Sequence, residues 1–116
     1  MKYSGDSYLV LIWEGRIDLQ TLVPARFQLG ENFPNPFNPE TTIRFDVPGP
    51  ADFRLVIYNL LGQEIRMLMA GRFESGRYTV SWDAKDDLGR QVAAGMYLYR
   101  LEARDVVLTR KMVLVK

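Results

Sequence analysis

The sequence predicts an all-β protein, an antiparallel sandwich, on three observations. From Thr41 onward, short runs of alternating apolar and polar residues recur at intervals near the ~8 to 12 residues typical of sandwiches. Glycine, proline, asparagine and aspartate punctuate those runs. No stretch holds a helical apolar period long enough to make a stable helix. Residues 59–69 are open to either reading, and a turn followed by a strand is the reading adopted. A chain of 116 residues has room for one domain with a short appendage and buries roughly two thirds of its unfolded surface.

Taken in order, residues 1–29 hold an apolar run from Tyr8 to Trp13, a turn at Glu14-Gly15, and a looser alternation of Ile17, Leu19 and Leu22. They read as one strand and a weaker second. The run falls short of the ~20 residues that cross a bilayer and of the ~7 to 15 of a signal-peptide core. Left unpaired, an apolar strand would be an exposed liability, so it is expected to dock within the domain or across a dimer. Next comes Asn32-Phe33-Pro34-Asn35-Pro36-Phe37-Asn38-Pro39-Glu40, whose prolines exclude helix and inner strand and make a stiff lead-in. The sandwich starts after it.

Six strands are predicted from there. Thr42–Val47 carries Ile43, Phe45 and Val47 on one face. Phe53, Leu55 and Ile57 share a face of the second, with Val56 and Tyr58 on the other. Ile65–Met69 is the third. Tyr78, Val80 and Trp82 alternate with polar residues in the fourth, Tyr97, Tyr99, Leu101 and Ala103 define the fifth, and Val106–Val115 closes the chain. Two segments resemble each other: Asn59-Leu60-Leu61-Gly62-Gln63-Glu64-Ile65 and Asp86-Asp87-Leu88-Gly89-Arg90-Gln91-Val92. Each suits a turn with its glycine at positive φ leading into a strand. Gly71 with Gly76, and Gly89 with Gly95, read as hairpin residues.

The chain has no histidine and no cysteine. That removes thiol nucleophiles, the serine-histidine-aspartate arrangement, the usual zinc ligands and the neutral-pH general base, so no catalytic residue, metal ligand or cofactor is expected. Paired carboxylates for glycoside hydrolysis need only proximity in space, and nothing in the sequence selects a pair. A formal net charge of +1 gives no nucleic-acid footprint. Asp83, Asp86 and Asp87 with Gly89 form the one acidic loop that invites a hard cation, but the spacing is not that of a calcium loop and the residues read as turn formers. Tyr78, Trp82, Tyr97 and Tyr99 either build an aromatic platform for sugars or face the core, and period-two spacing favours the core. At the C-terminus Lys111-Met112-Val113-Leu114-Val115-Lys116 is a strand flanked by basic groups. It reads either as a closing strand with charged gatekeepers or as an edge offered to a receptor that adds a strand.

From about Leu29 to Lys116, the blocks Gly30–Ile43, Val56–Glu64, Gly76-Arg77-Tyr78, Val80–Asp83, Gly95–Leu101 and Lys111–Leu114 together resemble the C-terminal sorting domain of the type IX secretion system. The same pattern is similar to the immunoglobulin-like domain of flagellar hook-capping proteins. The resemblance does not reach residues 1–28. It implies an immunoglobulin-like antiparallel sandwich of about seven strands over residues 30–116, with residues 1–29 an appendage or the tail of a preceding passenger domain. It further implies a non-catalytic address label for an exported protein, in the periplasm in transit and then on the cell surface or outside. The implied partners are the outer-membrane translocon, a sortase-like peptidase and the attached passenger. A homodimer through edge strands is a further expectation from the strand pattern. Carried over by position, Asn35, Pro36, Phe37, Asn38 and Pro39 form a lead-in motif and Gly76 and Tyr78 a middle motif. Lys111, Met112, Val113 and Leu114 with Lys116 form a terminal recognition motif, and its place in the resemblance favours the receptor-gripped reading of the last strand. The alternative is a structural or binding module, hook-capping-like or carbohydrate-binding.

Overall fold

The computed structural model describes residues 24–116 together with the backbone at 8–9, 12–13, 16–17 and 23. In the N-terminal part, β1 (Tyr8–Leu9) pairs with β4 (Val23–Pro24) and β2 (Ile12–Trp13) with β3 (Arg16–Ile17), all antiparallel. Among the described residues these short ladders pair with neither sheet of the sandwich. The expected Tyr8–Trp13 run, Leu19, Leu22 and the expectation of docking fall wholly or partly outside the described residues.

Seven strands then build the sandwich: β5 (Gln28–Leu29), β6 (Thr41–Val47), β7 (Ala51–Tyr58), β8 (Glu64–Phe73), β9 (Gly76–Trp82), β10 (Gly95–Ala103) and β11 (Val107–Leu114). They form two antiparallel sheets, β5-β6-β9 and β8-β7-β10-β11. Period-two patterning positions the core, because alternate side chains leave opposite faces of a strand. Ile43, Phe45 and Val47 of β6 are buried, facing Phe53, Leu55 and Ile57 of β7, Tyr97, Tyr99 and Leu101 of β10, and Met112 and Leu114 of β11. The register sets two poles. Thr41, Trp82, Tyr58, Gly95 and Leu114 lie at one, and Val47, Gly76, Ala51 and Ala103 at the other.

Three details depart from the sequence reading. β5 was not expected as a strand of the sandwich, yet Leu29 is a core residue and pairs with Phe45. β8 runs on to Phe73 and carries two bulges, because Leu55 and Val56 face Met69 and Met67, and Ile57 and Tyr58 face Arg66 and Glu64. Such bulges twist an edge strand away from foreign pairing. Gly71, expected in a hairpin, sits inside β8 opposite Phe53 at φ 137°. Val56, on the outer face, is nonetheless fully buried. A polar lid surrounds it: Arg54 Nε donates to Glu102 at 2.8 Å, Tyr58 Oη donates to Glu102 at 2.6 Å, and the Arg100 guanidinium lies 4.9 Å from the Tyr58 ring centre.

Candidate functional site: the clasp between lead-in and last strand

The start of the lead-in is held to β6 at two points. Gly30 N–H donates to Arg44 O, and Phe33 and Thr42 exchange two backbone hydrogen bonds. Between these anchors the buried Asn32 amide donates from Nδ2 to Thr41 Oγ1 at 3.1 Å and to Pro34 O at 3.2 Å, while Thr41 Oγ1 donates to Pro34 O at 2.8 Å. The Phe33-Pro34, Asn35-Pro36 and Asn38-Pro39 bonds are cis. Phe37 lies inward, buried against Trp82 with ring centres 5.8 Å apart. A buried aromatic of this size is worth about 3–5 kcal/mol relative to alanine.

The same segment is stitched to the end of the chain. Phe37 N–H donates to Val113 O and Phe37 O accepts from Val115 N–H, each at 2.9 Å. Asn35 Oδ1 accepts from Val113 N–H at 3.0 Å. The lead-in motif and the terminal motif, far apart in sequence, are therefore one structural unit on the outer edge of β11. One step along the seam, Arg110 Nε donates to Leu29 O and Tyr99 Oη to Gly30 O, both at 2.6 Å. Arg110 also lies 3.9 Å from Glu31. Burial pushes the Tyr99 phenol up to about 12, against the lowering influence of the Arg110 charge.

Within the terminal motif the side chains divide. Met112 and Leu114 are core residues, whereas Lys111 and Lys116 are exposed and Val113 is half-buried. What the strand presents outward is therefore Lys111, Val113, Lys116 and its backbone edge. Asn35, Pro36, Asn38 and Pro39 are exposed around buried Phe37. The middle motif is elsewhere: Gly76 pairs with Val47 at the opposite pole. Tyr78 stacks on Phe45 at 5.3 Å, packs edge-on to Phe53 and Phe73, and donates its hydroxyl to Glu74 O at 2.6 Å. It holds an aromatic cluster and does not touch the clasp. Sequence reasoning missed Asn32, Thr41, Tyr99 and Arg110 as parts of the clasp. Their partners are backbone carbonyls and side chains on other elements, which no spacing rule reveals.

The other candidate sites resolve as structure. Trp82 and Tyr99 are fully buried and Tyr97 nearly so, so with Tyr78 they form core packing and no sugar platform. Asp86 accepts at Oδ1 from Leu88 N–H and Arg90 N–H and at Oδ2 from Arg90 Nε, Asp83 accepts from Lys85 N–H, and Asp87 accepts from Met67 N–H. Among the described residues no group of three or more His, Cys, Asp or Glu is placed to hold a metal, and no helix is long and apolar enough to cross a membrane.

Fold and clasp together define an immunoglobulin-like sandwich module whose first and last segments are joined at one edge. More particularly, the chain belongs to the family of FlgD Ig-like domains, whose pattern matches residues 34–105. No curated protein matches it. Among solved structures it is similar to dimeric latent PorU from Porphyromonas gingivalis, at 20% identity and a TM-score of 0.60 over 78% of this chain and 10% of that one. It is also similar to PorZ, described as an essential bacterial surface component of the type IX secretion system of the same organism. There the identity is 20% and the TM-score 0.50 over 74% of this chain and 11% of PorZ. The chain thus spans about a tenth of either protein, and at this identity the likeness is one of fold.

Proposed function

We propose that this chain is a non-catalytic C-terminal sorting domain of the type IX secretion system, carrying an attached passenger through the outer-membrane translocon to the cell surface or the medium. The observation that carries the reading is the clasp. Asn35 and Phe37 of the lead-in hold Val113 and Val115 of the last strand in place, so the two motifs named by the resemblance act as one presented edge. The fold shared with PorU and with PorZ, itself a component of that system, supports it. On this reading the sandwich from β5 to the last strand is the address label, since Leu29 is one of its core residues, the chain before β5 belongs to the passenger side, and a sortase-like peptidase acts upstream of Asn32. Fusing the full chain behind a periplasmic reporter in a host with the system tests this. Deleting Lys111–Lys116 is expected to leave the reporter in the periplasm, and export that persisted would remove the assignment.

Membership of the FlgD Ig-like family favours a second reading, a structural module of the hook-capping kind. Gene context separates the two, since a hook-capping module sits within a flagellar protein.

A further inference from the structure

The outer edge of β11 is only half closed. Residues whose N–H and C=O point away from β10 alternate along the strand, and Val113 and Val115 show the phase because their groups meet Phe37 and Asn35. β10 and β11 pair without a bulge, so Thr109 and Lys111 point their backbone groups to the same side. Among the described residues nothing bonds to these groups. Beside them lies an open cleft of about 420 Å³ lined by Glu31, Asn32, Asn35, Tyr99 and Thr109–Lys111. Asn32 and Asn35 of the lead-in border it on one side without bonding to Thr109 or Lys111, and the Arg110 bond to Leu29 O closes it on the other.

We infer that this open half of the β11 edge is a docking site for an extended acidic segment of a partner protein, which adds to β11 at Thr109 and Lys111 as one more strand. An unpaired row of N–H and C=O groups is a template for such addition. The occupant's charge follows from the side chains on the flank. Lys111 has no ion-pair partner among the described residues; Arg100, across the ladder from Thr109, shares its face of the sheet, while Arg110 leaves the other face toward Leu29 and Glu31. Glu31 and Glu102 already answer those two arginines, so Lys111 remains to be met by a carboxylate. Strand addition at Val113–Val115 is excluded while Phe37 holds that half, which places the partner toward Thr109. The inference rests on the sorting-domain reading for the partner's identity and on the edge geometry for the mode of binding.

Proline at Thr109 deletes one outward N–H and leaves the ladder to β10 intact, as proline on an edge strand can. Thr109→Val keeps the N–H and loses only the hydroxyl. In the reporter fusion Thr109→Pro is expected to lower export by about tenfold, the effect of roughly one well-formed hydrogen bond in a dry interface. Thr109→Val is expected to export normally, with both variants melting as the parent does. Normal export of Thr109→Pro while the Lys111–Lys116 deletion is blocked overturns the edge inference and leaves the sorting reading standing. If the deletion too exports normally, the sorting reading falls and the edge is judged in solution. There a capped peptide of alternating threonine and glutamate, about six residues long, is titrated into the full chain and the amide signals of Thr109 and Lys111 are followed. Shifts that vanish in Thr109→Pro and with a threonine-lysine peptide support the inference. Equal binding by the proline variant or by the basic peptide overturns it, as does a chain that dimerises through this edge and becomes monomeric in Thr109→Pro.

Discussion

Single side chains close the seam between the two sheets, and each can be tested alone. Asn35 Oδ1 satisfies the Val113 N–H at an edge that would otherwise face water. Asn35→Ala removes it, so the end of β11 should fray: amide exchange at Val113 should speed up several-fold, for a stability loss of about 1 kcal/mol. Asn35→Asp, which keeps an acceptor, should behave as the parent, and faster exchange in both variants would mean that the side chain is not the fastener. Tyr99 has its ring in the core and its hydroxyl on Gly30 O at 2.6 Å. Tyr99→Phe keeps the packing and leaves that carbonyl unmet, for a cost of about 1–2 kcal/mol in denaturant unfolding; an unchanged midpoint would show that the bond contributes nothing. Phe37→Ala, by contrast, empties the space against Trp82 and should cost about 3–5 kcal/mol.

At the scale of elements, the two look-alike segments fold alike. Asn59 and Asp86 each use Oδ1 to accept two backbone N–H groups, from Leu61 and Gln63 in one turn and from Leu88 and Arg90 in the other. Gly62 and Gly89 both adopt φ 81°. The first turn leads into β8 as expected. The second does not enter a strand directly; it packs against β8, where Asp87 N–H donates to Ile65 O and Met67 N–H to Asp87 Oδ1. Nothing lies within 4 Å of a methyl built on either glycine, so Gly62→Ala and Gly89→Ala should each cost about 1 kcal/mol through backbone strain alone. Equal melting of both variants and the parent would contradict that. These turns and the six long strands were legible because their signals are local: a side-chain acceptor two and four residues from its donors, and alternation within one run. β5 was not legible, since two residues show no period. The clasp was half legible, because the prolines marked Asn35–Pro39 as special while only the folded register shows Phe37 lying beside Val113 and Val115.

For the whole molecule, the placement of charge predicts how stability depends on pH. With no histidine, nothing in the described fold with a shifted group titrates between the carboxylates and the tyrosines, so stability should be flat across neutral pH. On the acid side, burial works against the Glu102 carboxylate, but hydrogen bonds from Tyr58 and Arg54 and the charges of Arg54 and Arg100 hold it below its ordinary 4.5. Asp86 is likewise held below 3.8, chiefly by the Arg90 backbone N–H. A depressed acid stabilises the fold above its unfolded value and loses that contribution as pH falls through the folded one, so stability should decline below about pH 4. Asp46, raised by burial, acts in the opposite sense and blunts this limb. On the alkaline side burial raises Tyr58, Tyr97 and Tyr99, the last to about 12. A raised phenol stabilises the fold below its unfolded value of 10.0 and loses that contribution as pH climbs toward the folded one, so the melting temperature should fall above pH ~10. Tyr99→Phe should flatten the alkaline limb and leave the acid one in place, whereas Glu102→Gln should flatten the acid limb and, by removing the carboxylate that helps raise Tyr58, also soften the alkaline one. A parent whose melting temperature peaked sharply near neutrality, or a Tyr99→Phe variant with the parent's alkaline limb, would show that the seam and the lid over Val56 are not where the protonation states of this sandwich are decided.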